Sequence, residues 1–419
     1  MAHIQSRTAR EVAHIKPRPT RAWFSVLLVA YSLMALGQGA PSAPDSRPTL
    51  RSDVSLVPVH VIVRDAQGRP VGNLSRDDFQ IFDQGKPQVI QQFSAEQTVG
   101  RTSSEQEGRA NPPASPETRF TVYLFDDIHL QHEDLVRARE AADRQIAHLS
   151  SFPWERAALY TTSGQNRVDF GADPAKLRAA LAHLEPQGRV SAADCPNMTY
   201  YMADLIEEKG DSGALSVATD EVVSCAFGGN RRSRREASQV ATKVAREKTA
   251  IGKAETANSV GILKRLIRAM SSAPGRKLIV LVSPGFFVPD AQAQAEITDL
   301  AARSDVNVSA LDPRGLLPTA DFNESRMIFW STAEAADADL LEALTDATGG
   351  LFFHNNNDVE DGFRLIAAIP EYSYTLAFSP QGLKFDGHFH KLKVTANNGV
   401  NLTVQARKGY YAPNKKPDP

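Results

Sequence analysis

The sequence predicts an α/β fold: a mostly parallel central sheet flanked by helices, with an accessory β-sandwich module formed by the N- and C-terminal strands. Three observations predict it. Between Arg119 and Pro370, short apolar runs alternate with segments of helical period, the pattern of a parallel sheet covered on both faces. Ahead of that region, residues 54–97 carry period-two alternation and turn residues. After Pro370 the helical pattern stops and strand patterns return.

The N-terminus comes first. Residues 1–40 read as a signal peptide: Arg7, Arg10, Lys16, Arg18 and Arg21 precede an apolar run from Trp23 to Gly37, and small residues follow it. That run is short of the ~20 residues a membrane span needs. The chain is therefore expected to be exported to periplasm, cell envelope or medium, an uncleaved anchor being the alternative. No later segment is apolar enough to span a membrane. Residues 41–53 are a Pro- and Ser-rich linker.

In the 54–97 module, VSLVPVHVIVRD alternates through Val57, Val59, Val61 and Val63, and FQIFDQGKPQVIQQF reads as two strands about a Gly-Pro turn. Residues 98–118 are polar, Pro-rich and without periodicity, a flexible linker. The α/β region, residues 119–370, opens with the strand FTVYLFDD, then a helix through Leu135, Ala138, Ala142 and Ile146. RAALYTTS is a second buried strand, and DPAKLRAALAHL a helix with Asp173 as cap and Pro174 at its first position. Residues 188–258 form a helical insert leading into one long helix or two, with Gly252 as the weak point. The arginines from Arg231 to Arg235 read as a solvated helix start. KLIVLVSPG, VNVSALDPRG and LFFHN resume the strands, and the intervening helices end with one capped by Asp358. Residues 371–413 supply three strands and an Asn398-Gly399 turn, and are expected to pack with residues 54–96.

Composition excludes some functions. With 47 basic and 49 acidic residues the net charge is −2, which gives no global field for nucleic acid. Cys195 and Cys225 are the only two cysteines. In an oxidising compartment they are expected to pair. Nucleophile-elbow, phosphate-loop, dinucleotide and H-E-x-x-H motifs are all missing from the sequence.

Taken in order, VIVRDAQGRPVGNLSRDDFQIFDQGKPQVIQQFS, TVYLFDDIHL, RAALYTTSG, GRKLIVLVSPGF, VNVSALDPRGL, ATGGLFFHNNNDVEDGFRLI, YSYTLAFSP and VQARKGYYAP resemble the von Willebrand factor type A-related domain family of acidobacteria, over residues 54–413. The resemblance implies an A-like domain at 119–370 and, by analogy with A-domains, a binding or adhesive role. A-domains often hold a cation through D-x-S-x-S at the C-terminal edge of the sheet. Here Asp126 fills the first position, but Ile128 and Leu130 stand at the serine positions, so that site is degenerate.

Asp126, Asp127 and His129 cluster past one strand, Thr161 and Thr162 end the next, and Ser283 ends a third. All six are expected at one edge of the sheet. Two readings stand. In one, Asp126, Asp127 and His129 bind a divalent cation, Mg²⁺ or Ca²⁺, and activate water as a metal-dependent hydrolase. In the other, the carboxylates cap local structure, and the edge contacts a protein or cell-surface ligand without catalysis. The second is the principal expectation. His388 and His390 read as a hairpin surface pair, and Tyr372, Tyr374, Tyr410 and Tyr411 as packing residues.

Overall fold

The computed structural model describes residues 56–97, 118–188, 195–316, 324–367, 371–380, 387–397 and 402–412. The expected signal segment, the linker after it, residues 98–117 of the second linker and the Asn398-Gly399 turn lie outside them.

The N-terminal module forms β1 (Val57–Arg64), β2 (Phe79–Asp83), β3 (Lys86–Gln88) and β4 (Ile90–Gln97). In β1 the valines at 57, 59, 61 and 63 are all buried, as period-two alternation requires. The middle region follows with β5 (Arg119–Phe125), α1 (His132–Ala147), β6 (Glu155–Thr161), β7 (Arg167–Gly171) and α2 (Pro174–Ala182). The insert supplies α3 (Tyr200–Glu207), α4 (Ser212–Cys225) and α5 (Arg234–Ser271). Next come β8 (Arg276–Val282), α6 (Ala291–Arg303), β9 (Asn307–Leu311), α7 (Glu324–Thr348), β10 (Phe352–Phe353) and α8 (Val359–Ala367). The chain ends in β11 (Tyr372–Phe378), β12 (Phe389–Ala396), β13 (Thr403–Ala406) and β14 (Gly409–Tyr411).

The middle strands make one six-stranded sheet in the order β10-β9-β8-β5-β6-β7. Every pairing in it is parallel except β6 with β7. Alternate residues of each strand serve opposite faces. Tyr123 and Phe125 of β5 pack on one side, against Leu135 and Ile146 of α1, Leu177 of α2 and Phe363 of α8. Val122 and Leu124 pack on the other, against Leu263 and Ile267 of α5, Ile297 of α6 and Leu344 of α7. Each fully buried side chain of this size stabilises the fold by roughly 1.5–3 kcal/mol.

The end strands interleave. β1 pairs with β11 and β13, and β4 with β11, giving the antiparallel sheet β13-β1-β11-β4. β2 pairs with β12 and β3, and β12 with β14, giving a second. Both enclose one core holding Val59, Ile81, Tyr374, Phe378, Leu392 and Tyr410. The N- and C-terminal strands thus pack together, with the α/β region inserted between them in sequence.

Some elements depart from expectation. β7 carries no apolar pattern because it is an antiparallel edge strand with mostly exposed side chains. The run LTVQARKGYY forms two strands because β13 joins one end sheet and β14 the other. The long helix α5 does not break at Gly252. That glycine lies under the Tyr200 ring of α3, where a Cβ would come within 2.2 Å of the ring. Asp173 caps α2 through the Ala175 N–H, and Asp358 accepts from the Asp361 N–H, both as expected. Cys195 and Cys225 form a disulfide with Cα atoms 6.1 Å apart, tying α4 to the segment ahead of α3. Arg234 pairs with Asp220 at the exposed start of α5, so this part of the arginine run is solvated.

Candidate functional site

The six-stranded sheet brings the expected residues together by register alone. Phe125 lies opposite both Thr161 and Val282 in the neighbouring strands. The next residues, Asp126, Thr162 and Ser283, therefore stand side by side at the C-terminal edge. The ladder runs one step past the strands: the Asp126 N–H donates to Val282, Thr162 to Phe125 and Ser283 to Leu311.

Asp126 is completely buried. Its carboxylate accepts from Thr162 Oγ1 at 2.7 Å, from Ser283 Oγ at 2.6 Å and from His129 Nδ1, which is 2.9 Å from both oxygens. Asp127 accepts from the Ser163 N–H at 2.8 Å and from Ser163 Oγ, with Thr162 Oγ1 at 3.2 Å. Thr161 lies on the Asp127 side of the cluster, its Oγ1 3.1 Å from Ser163 Oγ and accepting from the Asn166 N–H. His129 is one-fifth exposed and stacks on Phe286 at 5.3 Å.

Charge follows geometry. Burial alone would raise the Asp126 carboxyl, but the His129 charge and hydrogen bond, with Ser283 and Thr162, hold it below the usual carboxylate range. Burial would lower His129, yet the Asp126 charge and hydrogen bond, aided by Glu255 and Asp337, keep it above its ordinary value. Burial and the Asp126 charge raise Asp127 against its Ser163 hydrogen bonds. The edge is thus an internal ion pair, His129 imidazolium on Asp126 carboxylate, in a bed of hydroxyls.

Residues without a motif complete the edge. Arg314, two residues past Asp312, donates to that carboxylate at 2.7 Å, to the Pro284 carbonyl at 2.8 Å and to Glu334. Asp337 of α7 accepts the Phe286 N–H on its backbone oxygen at 3.0 Å. Its own carboxyl is pushed up to about 7 by burial, with Glu334 adding and His129 and Arg314 opposing. Gly285 must be glycine: its φ is +94°, and a Cβ would meet the Asp337 oxygen at 2.4 Å. The DPRG turn after β9 was the sequence signal for Arg314, visible only as a turn.

The donor set does not fit a divalent cation. Both Asp126 oxygens already accept hydrogen bonds from within the chain, and Ile128 and Leu130 offer no side-chain oxygen. Among the described residues no group of three His, Cys, Asp or Glu is placed to hold a metal ion. His390 instead lies 3.1 Å from Asp83, which also accepts from Tyr410 OH at 3.0 Å. Tyr374 and Tyr410 are buried packing residues. No described helix is long and apolar enough to cross a membrane.

Comparison with known proteins adds a distant likeness. No family model and no curated protein matches the chain. Among solved structures, a variant of the PilB minor pilin from Streptococcus sanguinis is similar at a TM-score of 0.30 and 10% identity, over 61% of this chain and 62% of that one. The chain thus spans less than two thirds of the pilin's length.

Proposed function

We propose that this chain is an exported, non-catalytic binding protein. In this reading the α/β region is a von Willebrand factor A-like domain, the end strands form an accessory β-sandwich, and the C-terminal sheet edge contacts a protein or cell-surface partner. One observation carries it: the polar groups of that edge are committed to one another. Asp126, His129, Thr162 and Ser283 are hydrogen-bonded to one another, which engages both Asp126 oxygens within the chain. What such a network does well is fix the loops it ties together. The groups then left for a partner are the exposed ones around it, Gln131, His132, Gly164 and Gln165. The disulfide Cys195–Cys225 supports an oxidising location.

The test is a comparison of edge variants in binding to cell-envelope extract. His132→Glu with Gln165→Arg changes the exposed rim without touching the buried network. Loss of the captured partner in that variant, with retention in a Lys86→Glu control on β3 of an end sheet, is the expected result. Equal capture by both variants would remove the C-terminal edge as the contact surface.

A further inference from the structure

The opposite edge of the six-stranded sheet carries a feature of different chemistry. There, a cavity of about 160 Å³ lies between the N-terminal ends of β5, β8 and β9 and the end sheet containing β1, β11 and β13. Five cationic side chains line it: Arg64, Arg119, Arg276, Lys277 and Arg407. Four of them have carboxylate partners: Arg276 with Glu96, Arg119 with Glu155, and Lys277 and Arg407 with Asp305.

Backbone carbonyls position three of the arginines. Arg64 donates to the Gly68 and Leu365 carbonyls, Arg119 to Ala367 and Arg407 to Pro58. Yet Nε of Arg64 and Nε of Arg407 are buried and have no hydrogen-bond partner among the described residues. Buried donors of charged groups are costly to leave unmet. Arg119 and Arg276 are also direct neighbours in the β5–β8 register, where like charges repel. His60 at the cavity mouth is pushed down to about 4, by desolvation first and then by Arg276, Arg407 and Lys277 against Asp305. Neighbouring cations with unmet donors around one cavity are what an anion stabilises. Leu278, Ala301, Val306 and Ile366 make part of the remaining wall apolar, beside the polar Asn307, Ser309, Thr348, Ser373 and Gln405.

We propose that this cavity binds a small organic anion, its carboxylate or phosphate head taken by Arg64, Arg407 and the neighbouring cations, and its apolar body lying against Leu278, Val306 and Ile366. Guanidinium forks suit either oxyanion. The site would join the α/β region to the end sheet, because its ligand would touch side chains from both. It is independent of the contact surface proposed at the other edge.

Isothermal titration of the full chain at low salt tests it, with benzoate and phenyl phosphate as probes and benzylamine as the oppositely charged control. The expected result is saturable one-site binding of at least one anion, with benzylamine silent. The stronger of the two anions then identifies the head group. Arg64→Gln with Arg407→Gln weakens binding at least tenfold. Asp305→Asn tightens it severalfold, since it removes the carboxylate shared by Lys277 and Arg407. Asp305 is half exposed at φ +52°, a conformation Asn tolerates, so this second variant keeps its fold. Three results would each overturn the proposal: neither anion binding saturably, benzylamine binding as well as the anions, or Asp305→Asn leaving anion affinity unchanged or lower.

Discussion

Replacing His129 with leucine isolates the ion pair at the C-terminal edge. Leucine keeps an apolar body against Phe286, so the change falls on the charge and on the Nδ1 hydrogen bond to Asp126. A hydrogen bond to a charged group is worth about 1.5–3 kcal/mol, and removing one partner of a buried pair costs about 3–5 kcal/mol. His129 keeps one-fifth of its surface in solvent, and Thr162 and Ser283 still donate to Asp126. The loss therefore belongs near the lower range, about 2–3 kcal/mol. In a domain of this size that lowers Tm by about 5–10 °C.

The pH dependence is the sharper signature. Asp126 has its folded pKa lowered, so its stabilisation is present above about pH 4 and disappears as pH falls through that lowered value. His129 has its folded pKa raised, so its stabilisation is present below about pH 6.5 and disappears as pH rises through the raised value. The difference between wild type and His129→Leu must then peak at mildly acidic pH and shrink on both sides. Urea unfolding of both proteins at several pH values from 4 to 9 measures it. A difference that stays flat across that range, or stays under about 0.5 kcal/mol, would refute the ion-pair account.

Other consequences follow from single residues. The Asp337 carboxyl stays protonated in the folded state up to about pH 7, so the fold loses stability as pH rises from about 4 to 7. Asp337→Asn should therefore stabilise the protein at pH 8 by about 1–2 kcal/mol, after screening of this half-buried group, and do little at pH 4; a loss at pH 8 would contradict it. Gly285→Ala forces a Cβ against the Asp337 carbonyl at positive φ and should cost more than about 2 kcal/mol in thermal unfolding. Gly252→Ala would gain about 1 kcal/mol in an open helix. Under the Tyr200 ring it should instead destabilise by about 1–2 kcal/mol, and a higher Tm would show that the ring moves freely. Cys195→Ser with Cys225→Ser opens a loop of 30 residues and should cost about 3–4 kcal/mol, read by denaturant midpoint. Free thiols in exported protein would show that the bond does not form there.

How far the fold was legible depended on burial. β5, β6, β8 and β9 read directly as strands because both their faces are covered, which demands continuous apolar runs. Asp126, Thr162 and Ser283 were legible as one group for the same reason, since each sits one residue past such a run. That this group would close on itself was not legible, because its closure depends on His129 turning back onto Asp126 and on Gly285 admitting α7. β7 escaped because an edge strand needs no apolar pattern, and the β13–β14 break because a change of sheet at Arg407 and Lys408 leaves no mark in hydrophobic periodicity.

The cationic cavity was illegible for a stronger reason. Arg64, Arg119, Arg276 and Arg407 lie far apart in the chain, each beside an opposite charge or a strand terminus that gives it an ordinary explanation. Only the interleaving of the end strands around the inserted α/β region assembles them. The two edges of the sheet then differ in kind. At the C-terminal edge His129 is paired with Asp126, and Arg314 with Asp312 and Glu334, so removing one of these partners should cost stability. At the N-terminal edge Nε of Arg64 and of Arg407 are buried without a partner among the described residues, so adding an external anion should supply stability. A thermal shift on adding phenyl phosphate that survives in His129→Leu but vanishes in the Arg64→Gln, Arg407→Gln variant would separate the two edges in one experiment. A shift that disappeared in His129→Leu as well would mean the edges are coupled through the sheet, and the division drawn here would fail.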